Sequence, residues 1–321
     1  MAVILSQRYI APMQSPGTSV GRATLLIAVS ALCFGSISVL TVLLTNAGVH
    51  LLTAMAWRYT LAAALLFGTV GGRQIAAIPG QRAIQLLLVG GVGQALITYL
   101  SLHALEYIPV GPLAFLFYTY PAWVALIAAI RRTERLTYVR LVALTMALVG
   151  VTVMVGAPTA EKLNPIGVIF ALGSALLYSV YLPSLGYLQR DISALASALL
   201  LVVGAAISFM LAAVISGQLY LPTGIRVWSN IFLLALVSTV IAFSTLIKGL
   251  SVLGPVRTAI IATIEPFFTA ILGVAILGNQ LTAATLTGGV LIAGAVTLIQ
   301  WSSVKFEATS LPGSVDGVRP R

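Results

Sequence analysis

The 321-residue chain is a succession of long apolar runs separated by brief polar interruptions. Each run approaches the roughly 20 residues that an α-helix needs to cross the hydrocarbon layer of a bilayer. Ten are predicted, over residues 23–45, 50–71, 83–104, 109–130, 137–157, 164–186, 193–216, 228–249, 255–277 and 282–302. Turn formers and charges divide them: Asn46-Ala47-Gly48, Gly71-Gly72-Arg73, Ile108-Pro109, the loop from Arg131 to Arg140, and Asn164-Pro165. A chain in lipid must satisfy its own backbone hydrogen bonds, so these runs predict helices. Residues 1–22 are polar, carry Pro12, Pro16 and Gly17, and lack the apolar centre of a cleavable leader. They read as an N-terminal tail. Residues 303–321, with Pro312, Gly313, Gly317 and Pro320, read as a disordered C-terminal tail.

The pattern repeats. Pro121 returns 145 positions later as Pro266, Leu105 as Leu250, Ala125 as Ala270, and Leu136-Thr137 as Leu281-Thr282. Leu141, Val151 and Thr152 return as Leu286, Val296 and Thr297 at the same offset. Ser30-Ala31-Leu32 matches Ser174-Ala175-Leu176 one position short of it. The chain therefore reads as two five-span units, 23–157 and 164–302. An odd number of spans turns the second copy over in the bilayer, and inverted repeats of that kind mark secondary transporters with a site near the midplane.

Composition agrees with this reading. Hydrophobic residues make up 60% and charged residues 7%, against about 25% charged in a soluble domain. A net charge of +10 would suggest nucleic acid in a soluble protein, but here the charges sort by side. With the N-terminus in the cytoplasm, Lys162 and Arg226 are the only cations assigned to the outer loops. That is a strong positive-inside bias, and it predicts that both termini are cytoplasmic. The single cysteine, Cys33, lies inside the first span and excludes an intrachain disulfide framework. The use of Arg over Lys and the abundance of Ala point to a bacterial cytoplasmic (inner) membrane.

Ten spans in a doubled five-span unit resemble the drug/metabolite transporter superfamily. Thr263-Ile264-Glu265-Pro266-Phe267, Tyr118-Thr119-Tyr120-Pro121 and Trp57-Arg58-Tyr59 resemble elements of its EamA family. Glu134-Arg135-Leu136-Thr137 is similar to the pattern joining the last two spans of each unit; its second copy has Asn279 where Glu is usual. The resemblance covers about residues 23–302. It implies an exporter or exchanger of small metabolites, such as amino acids or amines, with spans 1, 3, 4, 6, 8 and 9 lining the path.

Polar groups deep in the spans are the candidate site, because a charge at the bilayer centre costs roughly 2.5–3.5 kcal/mol even on lenient scales. Glu265 is the candidate proton- or cation-binding carboxylate, or else a group tied to a neighbouring helix; its counterpart in the first unit is the neutral Tyr120. Arg58 in span 2 is a candidate coupling residue that could meet an anionic group, pair with Glu106, or snorkel to the outer surface. A structural role is the favoured reading. His103, beside Glu106, is a candidate gate or relay. Pro121 and Pro266 are expected to bend their spans and to gate a central cavity. Candidate lining residues are Phe34, Gln94, Thr98, Tyr99, Tyr118, Tyr120, Tyr178, Tyr181 and Ser238, the tyrosines suiting a stacked ring or a cationic amine. Glycine runs at Gly90-Gly91 and at Gly288-Gly289 to Gly294 predict close helix contact, either within the chain or, in span 10, as a homodimer face.

No Gly-x-x-x-x-Gly-Lys-Ser/Thr loop occurs, so no ATP use is predicted. A membrane-embedded enzyme would need a nucleophile and base, an Asp pair or a metal site. Asp191 and Asp316 lie outside the spans, and no His-x-x-x-His or Cys pair is present. No metal or cofactor is expected. A channel would show a repeated polar ring or filter, and none is visible. The predicted partners are a small solute and lipid, not nucleic acid.

Overall fold

The computed structural model describes residues 20–70, 72–108, 110–133, 136–155, 163–278 and 282–310. All regular structure among these residues is helical. The first half holds α1 (Val20–Asn46), α2 (Leu51–Thr69), the short α3 (Gly72–Ala76), α4 (Gly80–Leu88), α5 (Gln94–Leu105), α6 (Val110–Phe117), α7 (Tyr120–Ile130) and α8 (Tyr138–Val155). The second holds α9 (Pro165–Leu188), α10 (Ala194–Ile215), α11 (Ile225–Ala235), α12 (Ala242–Ala262), α13 (Glu265–Leu277) and α14 (Ala283–Ser310).

Six helical segments are long and apolar enough to cross a membrane: Val20–Asn46, Leu51–Thr69, Gly80–Ser101, Pro165–Leu188, Ala194–Ile215 and Ile225–Ala262. Tyr120–Ile130, Tyr138–Val153, Glu265–Leu277 and Ala283–Leu298 are shorter apolar helices. The segment Ile225–Ala262 is divided by Gly254, at φ 75° and ψ 168°. A side chain is strongly disfavoured at that φ, and the following Pro255 keeps its predecessor out of the helical region. The chain turns a corner there between two helical runs.

The two halves carry the same backbone irregularities. α4 passes into α5 through a π turn at Val89–Gly93, and α11 into α12 through one at Leu236–Ile241. The two turns overlap under the 145-residue offset. α6 and α7 are separated by Tyr118-Thr119, and α12 and α13 by Thr263-Ile264, at the same offset. Pro121 and Pro266 each lie in the first turn of the helix that follows the break. This corrects the expected bend: neither proline kinks a continuous helix. The first turn has no intrahelical acceptor for its N–H groups, so proline costs nothing there and starts the new helix.

Packing interlocks the halves. α1 lies against α12 and α13, and α9 against α5, α6 and α7. The first helix of each half thus rests on the later helices of the other. α2 pairs with α10, and α8 with α14. The glycine runs serve these contacts. A Cβ on Gly90 would collide with the Leu201 backbone, and one on Gly204 with the Leu87 carbonyl, so α4 and the π turn lie directly on α10. A Cβ on Gly150 would come within 2.8 Å of the Gly288 carbonyl, and one on Gly289 would strike the Phe267 ring. Gly288 and Gly289 are therefore spent on internal packing.

Loops tie the halves at both ends. Trp57 Nε1 donates to the Tyr220 carbonyl at 2.9 Å, and Tyr220 Oη donates to the Gly48 carbonyl at 3.2 Å. At the opposite end Arg82 pairs with Asp191 at 3.7 Å and donates to the Arg190 carbonyl. The C-terminal helix continues to Ser310, past the expected boundary at 302. Residues 303–310 contain no Gly or Pro, and the first breaker is Pro312-Gly313. The rest of the tail, residues 1–19 and the loop elements Glu134-Arg135 and Asn279-Gln280-Leu281 lie outside the described residues.

Candidate functional site

The two helix breaks, at 118–119 and 263–264, bring the deep polar and aromatic residues together. At the first, Tyr118 and Tyr120 flank Thr119 and are both buried, Tyr120 at 2% exposure. α9 packs against this break and adds Tyr178 and Tyr181. Tyr120 and Tyr178 meet edge to face at 4.7 Å and 77°, and Tyr178 stacks on Tyr181 at 5.8 Å and 27°. Phe117 joins them, 5.6 Å from each of Tyr118, Tyr120 and Tyr178. Offset and edge-to-face arrangements suit the ring quadrupoles, so the cluster is self-supporting.

At the second break Glu265 opens α13. Its carboxylate lies within electrostatic reach of Tyr118, Tyr120 and Tyr178. No basic side chain among the described residues forms an ion pair with it, and it is half-buried. α1 approaches closely here. A Cβ on Gly35 would lie 3.1 Å from the Glu265 carbonyl and 3.0 Å from Thr269 Oγ1. Tyr120 Oη reaches back to the Ala259 carbonyl at 3.5 Å, a weak tie between the two breaks. Tyr181 Oη is buried with no partner, although Tyr181 is only 5% exposed. Its ring lies against Gly93, where a Cβ would stand 3.1 Å away.

Arg58 has a different destination from those expected. It is 2% exposed, the one fully buried charged side chain among the described residues. Nε donates to Thr239 Oγ1 at 2.7 Å, Nη2 donates to the Ser238 carbonyl at 2.9 Å, and Nη1 lies 3.6 Å from Met55 Sδ. A π turn leaves a carbonyl outside the i→i−4 ladder, and the guanidinium fills it. Arg58 therefore neither pairs with Glu106 nor snorkels. Its charge is held by neutral groups, which fits the favoured structural role. Ser238 Oγ shares a 2.6 Å hydrogen bond with Ser36 Oγ of α1.

Other predicted residues sit around this centre or apart from it. Phe34 packs edge-on against Phe243 at 5.3 Å. Gln94 and Thr98 are half-buried at the start of α5, directly after the first π turn. Tyr99 and His103 do not join the tyrosine cluster. Tyr99 is 51% exposed and packs on His103 at 4.1 Å with the rings tilted by 34°, and His103 meets Phe170 at 5.7 Å. Sequence reasoning passed over Phe117, adjacent to the quoted tyrosine segment, and Ser36, which sits where Tyr181 sits at the 145-residue offset.

Comparison with known proteins agrees with this architecture. A crystal structure described only as that of a protein superposes with a TM-score of 0.76, over 90% of this chain and 100% of that one, at 19% identity. That likeness concerns the fold alone. No curated protein matches the chain in sequence. The model of the EamA-like transporter family matches twice, over residues 21–156 and 165–301, one match for each half. The chain is thus a two-repeat, helical, multi-pass membrane protein and belongs to the EamA-like transporter family.

Proposed function

We propose that the chain crosses a bacterial cytoplasmic membrane ten times, as two inverted five-helix units with both termini inside, and exports or exchanges small metabolites by alternating access. The observation that carries this reading is the meeting of two equivalent helix breaks at one aromatic, singly charged site. Tyr118, Tyr120, Tyr178, Tyr181 and Glu265 form the solute contact. The interrupted backbone at 118–119 and 263–264 supplies places where short helices can pivot. The positive-inside pattern supports the orientation, and the corner at Gly254 supports counting Ile225–Ala262 as the end of one crossing and the start of the next. Glu265 is the group through which transport is coupled to a gradient. Arg58 holds the second π turn, and His103 lies in an aromatic patch with Tyr99 and Phe170.

The test is counterflow in proteoliposomes against labelled amino acids, amines and sugars, with and without an imposed pH gradient. The expected result is saturable exchange for one solute class, lost in Glu265→Gln. Non-saturating flux would identify a channel instead. Absence of flux for every class, from protein shown to be folded, would count against a carrier.

A further inference from the structure

The two faces of α8 have different fates. One is buried, and at Gly150 it lies directly on α14. The other holds Tyr138, Leu141, Val142, Thr145, Met146 and Val149, at the three- and four-residue spacing of a single helix face. With Leu291 of α14 it lines a groove of about 390 Å³. A Cβ on Gly294 would stand 3.1 Å from Met146 Cε, so Met146 lies over a bare stretch of α14. Within the groove the Thr145 hydroxyl donates to the Leu141 carbonyl at 3.0 Å, which leaves apolar surface. Tyr138 stands at one end, 81% exposed. Tyrosine is a residue type that settles at the membrane–water boundary. From Tyr138 to Val149 the helix rises about 16 Å at 1.5 Å per residue. That is roughly one leaflet of a hydrocarbon core about 30 Å thick.

Positive charge gathers at the Tyr138 end. α7 closes in a Schellman turn, in which the Thr133 N–H donates to the Ala128 carbonyl and the Arg132 N–H to the Ala129 carbonyl, each at 3.0 Å. The residue just past the cap of such a turn adopts the left-handed conformation and is usually glycine. Here it is Arg132, at φ 54°. Arginine is strained at that φ where glycine is not. The outcome is an exposed guanidinium next to the equally exposed Arg131. Residues 131–140 hold four arginines against one glutamate.

We infer that this groove and its basic rim bind an anionic phospholipid, with an acyl chain along α8 and the headgroup phosphate at Arg131 and Arg132. Basic sites beside spanning helices on the cytoplasmic side suit such headgroups. A second copy of the chain fits less well. A twofold axis along the membrane normal would bring its own Arg131 and Arg132 to the same end, like charge against like. The inference does not depend on the carrier reading; only the leaflet follows from the orientation proposed above.

The full chain, delipidated in detergent, would be titrated with phosphatidylglycerol and phosphatidylcholine of equal chain length, and with glycerol 3-phosphate as the headgroup alone. Native mass spectrometry and the melting temperature read binding. Phosphatidylglycerol is expected to bind saturably and to raise the melting temperature, phosphatidylcholine to bind more weakly, and glycerol 3-phosphate not to bind. Arg132→Gly suits the left-handed backbone, so the lipid-free protein should melt no lower than wild type. Its affinity for phosphatidylglycerol should nevertheless fall about 5-fold. Adding Arg131→Gln should bring the loss to about 25-fold and remove the preference over phosphatidylcholine. Thr145→Trp, which fills the groove from an exposed position, should weaken both lipids alike. Arg226→Gln, an exposed cation at the start of α11, should change nothing. Equal binding of the two lipids, a preference that survives loss of both arginines, or glycerol 3-phosphate binding as tightly as the lipid would overturn the inference. So would a dimer in light scattering that dissociates in Thr145→Trp, since a second copy would then hold the groove.

Discussion

The two halves share their irregular backbone and hold it in different ways. In the first half the π turn at Val89–Gly93 is made of small residues pressed onto α10, and the ring of Tyr181 covers Gly93. In the second half the turn at Leu236–Ile241 is held by hydrogen bonds that it shares with Arg58 and Ser36. Under the 145-residue offset Ser36 corresponds to Tyr181 and Ser238 to Gly93, so one contact is written once in steric and once in polar terms. The helix breaks differ likewise. Tyr120 is buried and packed; Glu265, its counterpart, is half-buried and ionisable. A doubled scaffold therefore does not imply a doubled site. One copy contributes a packed aromatic cluster, and the other contributes an ionisable side chain at the equivalent position.

The comparison is most exposed to a substitution that makes the breaks alike. Tyr120→Glu would place a second carboxylate in the packed wall beside Glu265. It is expected to destabilise the protein by about 3–5 kcal/mol, the penalty of an uncompensated buried charge. Unfolding monitored in detergent checks this, and wild-type stability would mean that the first break is not a closed wall. Next in size is Gly90→Ala, whose added methyl meets Leu201 backbone with no flexible group to yield. A loss of about 3 kcal/mol is expected, at the upper end for overpacking. Arg58→Ala should cost about 2–3 kcal/mol through the freed Ser238 carbonyl and the space left behind. If Arg58 instead served only the solute, stability would hold while binding fell. The smallest effect is expected of Tyr181→Phe, which removes an unpartnered hydroxyl. Stability should stay level or rise by up to about 1 kcal/mol, and a fall would reveal a hydrogen bond that the tyrosine makes after all.

Much of this was legible along the chain. Apolar run length marked where helices lie but not where they break: the interruptions at 118–119 and 263–264 leave α6, α7 and α13 shorter than the predicted runs. The tyrosines and Glu265 stood out because polar groups are rare in such runs. The proline reading went astray for a definite reason. Proline at an interior position and proline at the start of a second helix look identical in sequence, and the deciding feature is the two-residue break before it. The fate of Arg58 was likewise invisible, since its acceptors lie some 180 positions away on a turn whose free carbonyl exists only when the helix widens there.

The chain by itself determined where its helices lie and its duplication, because these follow from local composition and spacing, and its short motifs carried the resemblance to a transporter family. Tertiary structure alone decided which residues meet. α9 must pack on α6 and α7 before Tyr178 can face Tyr120, and α1 must come to α13 before Gly35 can admit Glu265. Those contacts join residues from opposite halves, and no pattern within either half specifies them.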